Sequence, residues 1–146
     1  MERGLNPGLG LALLRVVLGV TFVTHGTPKL FGGVGGVAEF LAGLGVPAPT
    51  LAAWLLASLE SFGGILLILG LLVTPVALLL LVEMAMGILL VHGQAGWYVI
   101  GPEARPPGGV EFNVVLIASL LALVFAGPGV ASVDRVRTAR TPVVEV

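Results

Sequence analysis

Apolar positions along the chain fall into four long runs, separated by shorter polar or glycine-rich stretches. A membrane helix needs about 20 mostly apolar residues to cross roughly 30 Å of hydrocarbon. The runs at about 9–26, 51–69, 75–92 and 110–126 fit that requirement and predict four spans. Leu51 to His92 reads as one apolar run of 42 residues. As a single helix it would be about 63 Å long at 1.5 Å per residue, so it must fold back. Gly70 is the expected helix stop, Thr74 the expected N-cap and Pro75 the expected first helical position. Between spans one and two, Val37, Phe40, Leu41 and Leu44 repeat at helical spacing with Glu39 on the other side. That spacing predicts a short amphipathic helix at the membrane interface. The expected fold is an all-α, integral membrane, antiparallel four-helix bundle with a short interfacial helix between helices 1 and 2.

The bundle is expected to occupy residues 1–133 as one domain, followed by a basic, partly disordered tail over 134–146. Trp97 and Tyr98, in the polar connection between spans three and four, are expected headgroup-level anchors. An even number of spans puts both termini on one side. That side carries Arg3, Arg135, Arg137 and Arg140, against Lys29 and Arg105 on the other, so both termini are expected in the cytoplasm. A cleaved signal peptide is disfavoured, because Arg15 interrupts the first apolar run and no clean small-residue cleavage site follows it.

Composition sharpens the membrane reading. Hydrophobic residues make up 57% of the 146-residue chain and charged residues 10%, and mean hydropathy is +1.10. A soluble domain has about 25% charged residues, so this chain cannot clothe a water-facing surface. Net charge is −1, which leaves no basic field for nucleic acid. The chain has no cysteine, which removes disulfides, iron–sulfur clusters and thiolate metal sites. No flavin motif and no metal site are read from the sequence.

The ionisable residues inside the spans carry the chemistry. Arg15, Glu60 and Glu83 each cost on the order of 2.5–3.5 kcal/mol at a helix centre, so they must turn inward and pair. Counted along the helices at 1.5 Å per residue, all three fall in one slab of the membrane. Arg15 is therefore expected to reach at least one carboxylate. The trio sums to −1 and leaves one carboxyl poorly compensated, as a proton-coupled site would use. A packing clip between Arg15 and Glu60, with Glu83 inert, explains the same residues. Gly64 lies one turn beyond Glu60 on the same face and allows close helix approach.

A second group gathers at the opposite end. His25 closes span one, His92 closes span three, Glu111 opens span four, and Lys29 lies nearby. The simpler account is that Glu111 complements a helix dipole and that each histidine bonds to backbone. Helix phase raises a difficulty: His92 is nine residues after Glu83, which puts the two on opposite faces of a straight α-helix.

Leu14-Arg15-Val16-Val17-Leu18-Gly19, followed by His25-Gly26-Thr27-Pro28-Lys29-Leu30-Phe31, resembles the opening signature of the DoxX family. Gly45-Val46-Pro47 resembles its loop motif, and Glu60-Ser61-Phe62-Gly63-Gly64 its second-helix signature. His92 stands where the family often has a histidine. Gly127-Pro128-Gly129 followed by Asp134 resembles its ending, so the likeness runs from Leu14 to Asp134. The resemblance implies a small four-helix inner-membrane protein. Family relatives include the membrane subunit of a thiosulfate:quinone oxidoreductase, and others are described as partners of redox-detoxification enzymes. Arg15, His25, Lys29, Glu60, His92 and Glu111 match family motif positions, whereas Glu83 does not.

Two functions are expected from these readings. In the first, the chain is a quinone-linked oxidoreductase component, with candidate catalytic residues Glu60, Arg15 and Glu83 and candidate ligand-binding residues His25, Lys29, His92 and Glu111. Electrons would then need a partner redox subunit. Haem held by His25 and His92 is disfavoured by the phase of His92. In the second, the chain is a non-catalytic membrane anchor or scaffold for a redox or detoxification enzyme. A proton-linked carrier is disfavoured, because no internal repeat is evident. The bilayer is the expected surrounding, and a homo-oligomer remains open.

Overall fold

A computed structural model describes residues 6–106 and 108–139. It is all-helical, with no strand among the described residues. Helix α1 spans Pro7–Pro28. Its Asn6 side chain accepts the Gly8 amide at 3.0 Å, and Pro7 takes the first helical position, where its missing N–H costs nothing. The chain kinks at Gly32 (φ 177°, ψ −10°), within Lys29–Gly33, and continues as α2, Val34–Gly43. Helix α3 spans Pro49–Leu69 and contains a wide π turn, Leu59–Gly63. Helix α4 spans Val73–Ala95 and contains another, Ile88–His92. Helix α5 spans Glu111–Ala126, and a short α6 spans Val133–Ala139.

Three helices are long and apolar enough to cross a membrane: Pro7–Gly43, Pro49–Leu69 and Val73–Ala95. The fourth expected span is the apolar helix α5, of 16 residues, shorter than the about 20 that a full crossing takes. The core is built from Leu18 and Phe22 of α1, Leu67 of α3, Leu80 of α4, and Leu120 and Leu123 of α5. The outer faces are apolar as well: Leu13, Leu55, Leu79 and Phe125 are all exposed. A surface of that kind suits hydrocarbon rather than water.

The fold-back after α3 falls where the sequence places it. Gly70 adopts φ +70°, a conformation glycine takes without strain. Gly70 N donates to Leu67 O and Leu71 N to Leu66 O, each at 3.0 Å, which closes the helix. The start of α4 differs from expectation. Leu72 precedes it at φ +53°, and Thr74 is already inside the helix. The amides that need a cap are those of Leu72 and Val73. They donate to Asp134 Oδ1 and Oδ2, both at 2.9 Å. The N-cap of α4 is thus supplied from 62 residues away, a pairing no local motif announces.

The residues at the start of the expected tail form helix α6, held by Asp134, whose amide donates to Gly70 O at 2.9 Å. Arg3, Pro107 and residues 140–146, including Arg140, lie outside the described residues.

The expected amphipathic segment is helix α2. It packs on α3 and buries Leu41, with Glu39 exposed.

Candidate functional site

Small residues set the register of α1 against α3. A Cβ on Gly19 would stand 2.6 Å from Gly64 O, and one on Gly26 would stand 2.6 Å from Glu60 Cβ. These two glycines therefore bring the backbones together. That approach carries Lys29, one turn past Gly26, onto the middle of α3. Lys29 Nζ donates to both Glu60 oxygens at 2.6 Å. Glu60 is buried and Lys29 is about one-third exposed.

This is a correction to the expected pairing. Arg15 does not meet either carboxylate. It is 2% exposed and donates to Leu67 O (2.8 Å), Ile68 O (2.9 Å) and Ala131 O (3.1 Å). Depth counting fails because α1 overhangs α3. Val130 N donates to Gly8 O at 2.9 Å, so the first turns of α1 pack on the segment after α5. Arg15 is thereby level with the end of α3, where free carbonyls and the negative end of the helix dipole favour a cation. Leu67 is seven residues beyond Glu60, about 10 Å along the helix. Arg15 thus joins the end of α3 to the segment after α5 rather than pairing with Glu60.

Glu83 does come to the cluster. It interacts electrostatically with both Glu60 and Lys29, and its Oε2 is buried with no hydrogen-bond partner. Two carboxyls and one ammonium again sum to −1, with Lys29 in the place expected of Arg15.

A π turn explains how His92 joins the group. A π turn adds one residue to a helical turn and rotates the side chains beyond it by about 100°. Through the turn at Ile88–His92, His92 leaves the face opposite Glu83, and both line one cavity. The phase difficulty read from the sequence assumed an unbroken α-helix.

Two adjoining cavities meet at Lys29, Glu60, Met84, His92 and Asn113. The first, about 280 Å³, also touches His25, Phe22 and Phe112 and is covered by the segment carrying Val99, Gly108 and Gly109. The second, about 350 Å³, lies between α2, α3 and α4 and has Glu83 on its wall.

The histidine Nδ1 atoms are engaged by backbone, as the simpler account expects. His25 Nδ1 lies 2.8 Å from Thr21 O and His92 Nδ1 lies 2.8 Å from Gly108 O. A carbonyl only accepts, so each Nδ1 carries hydrogen, and in the neutral ring Nε2 is an acceptor. His25 also packs against Phe112, with ring centroids 6.2 Å apart. Glu111 lines neither of these two cavities. Its Oε1 accepts the Val99 amide at 2.8 Å, which ties down the connection between α4 and α5.

Asn113 escapes a sequence reading confined to charged residues. It is buried on α5, lines both cavities and points its amide at Met84 O, 3.4 Å away. The available signal is a polar amide inside an apolar run.

The chain matches the DoxX family over residues 10–93. It is 32% identical to the "Inner membrane protein YphA" of Escherichia coli (strain K12) over 127 residues, covering 86% of this chain and 88% of that protein. It is 29% identical to the "Putative oxidoreductase CatD" of Bacillus subtilis (strain 168) over 126 residues, covering 86% and 85%. An uncharacterized protein of Haemophilus influenzae is 35% identical over 134 residues, covering 85% and 87%. No solved structure matches. With a family match over more than half its length and a relative aligned almost end to end, this chain belongs to the DoxX family of membrane proteins.

Proposed function

We propose that this protein is a quinone-binding membrane component of an oxidoreductase. Its four apolar segments form an antiparallel bundle in the inner membrane with both termini in the cytoplasm. The start of α1, the turn after α3 and helix α6 meet at one end through Gly8, Gly70 and Asp134. Arg135 and Arg137 extend from that end. Lys29 and Arg105 are the Lys and Arg residues counted at the other end, and the larger count beside the termini favours the expected orientation.

One observation carries the redox reading. A lysine–glutamate pair with a second carboxyl beside it sits within apolar helices and lines two cavities. Intramembrane ionisable groups are costly and mark functional sites by default. The residues present fit a quinone. Lys29 Nζ has a third hydrogen beyond the two directed at Glu60. Asn113 and His25 add polar contacts in the same cavity, and Phe22 and Phe112 supply flat apolar walls. A bound quinone would supply two-electron, two-proton carrier chemistry. Lys29 would orient a ring oxygen, and Glu60 and Glu83 would hold and pass the accompanying proton. Electrons would be exchanged with a partner redox subunit. The name of the Bacillus relative is in keeping with this reading.

The test is quinone binding to purified protein in lipid nanodiscs. Lys29→Met and Glu60→Gln, each folded and expressed normally, are expected to weaken binding at least tenfold. Unchanged affinity in both would overturn the proposal and leave a membrane anchor as the better account.

A further inference from the structure

We infer that the second cavity seats a long apolar chain, so that the ligand is a two-ended, lipid-borne molecule entering sideways from the bilayer between α2 and α4. This rests on the quinone reading above and adds the ligand's class and its route.

Polarity along that cavity is graded. Lys29, Glu60 and Glu83 stand together at one part of it, while Val37, Leu41, Val46 and Leu56 line the remainder. Its half-exposed wall residues are Phe40 (50%), Met86 (45%) and Leu90 (40%), so the mouth lies among them. Beside it on α4, Val82 and Leu89 are 59% and 75% exposed. Met86 and Leu90 belong to a helix long and apolar enough to cross the membrane, so the mouth faces acyl chains rather than water. A water-soluble ligand would have no reason to find it, whereas a chain-bearing ligand is already concentrated there.

The segment beside the first cavity is tied to itself: Gly109 N donates to Tyr98 O, Val110 N to Gly96 O and Glu111 N to Trp97 O, each at 3.0 Å. His92 and Glu111 add two side-chain ties to that segment. Each cavity lies near the small end of the usual range for ligand pockets, roughly 300–1,000 Å³. The first has polar and aromatic walls for a ring, and the second has apolar walls for a chain. They join at Lys29 and Glu60, where the two ends of one molecule would meet.

A prenyl or alkyl chain of a quinone and an acyl chain of a phospholipid share this chemistry, and the experiment separates them. Two probes with the same benzoquinone ring are used in phosphatidylcholine nanodiscs, one bearing a decyl chain and the other a methyl group. The decyl probe is expected to bind at least tenfold more tightly after correction for partition into lipid. Leu90→Trp, which fills the mouth, is expected to remove that advantage while the methyl probe binds within twofold of the unaltered protein. A decyl probe with a photoreactive diazirine at its chain end tests the unaltered chain directly, should Leu90→Trp fail to fold. Labelling of peptides containing Phe40, Leu56 or Leu90 supports the inference. Labelling of residues 96–110, or equal affinity for the two probes, overturns it while leaving quinone binding intact. Labelling of the same peptides by a diazirine phosphatidylcholine that the decyl probe does not displace also overturns it, assigning the seat to structural lipid. Failure of both probes to bind overturns this inference together with the quinone reading.

Discussion

Replacing Arg15 with methionine separates the helix clip from the ligand site. The guanidinium gives three hydrogen bonds to backbone carbonyls, and such charge-assisted bonds contribute roughly 1.5–3 kcal/mol each. Leu67 O keeps a bond from Gly70 N, so the loss concentrates on Ile68 O and Ala131 O. Ala131 is an exposed residue, and water can replace part of what its carbonyl loses. Methionine recovers some packing from the aliphatic stem. The net destabilisation is then about 3 kcal/mol, on the order of 10 °C in Tm for a domain of this size. Thermal unfolding in detergent measures it. Arg15→Lys should recover only part, because one ammonium cannot bridge carbonyls on two segments as the planar fork does. Below its melting transition, Arg15→Met should bind quinone as the unaltered protein does, because the Lys29–Glu60 pair is untouched. An unchanged Tm would refute the clip, and lost binding in folded protein would refute the separation of the two sites.

Packing and caps set three further outcomes. Gly64→Ala would place a Cβ 2.7 Å from Gly19 O and 2.8 Å from Val23 N. Backbone cannot yield cheaply, so a loss of about 1–3 kcal/mol is expected in denaturation, whereas Gly10→Ala, with open space around it, should cost nothing and gain up to about 1 kcal/mol from helix propensity. Asp134→Ala removes the cap of α4 and should cost about 1–2 kcal/mol by the same assay. Glu111→Ala should speed hydrogen exchange at the Val99 amide, and Glu111→Gln, which keeps an acceptor oxygen, should not.

Much of the helical plan was written in local pattern. The length of the apolar runs and the glycine at position 70 were enough to mark the apolar helices and the fold-back, because both depend on nearest neighbours and on hydrocarbon thickness. The spacing of Val37, Phe40 and Leu41 likewise marked α2. Charge pairing was not legible. Counting residues from predicted span ends put Arg15 level with Glu60, but the overhang of α1 past α3 depends on how Gly8 packs against Val130. Nor could the spacing of Glu83 and His92 reveal that both line one cavity, since a π turn is a departure from the periodicity that sequence reasoning assumes.

The sequence by itself therefore determined the solvent, the helices and the presence of buried charge, all of which stem from the free energy of moving residues out of water. Tertiary structure alone decided which cation meets which carboxylate, which distant aspartate caps α4, and where the cavities open. Those outcomes turn on register shifts of a few ångströms between helices, and ion pairs and hydrogen bonds are sensitive to distance on that scale while apolar burial is not.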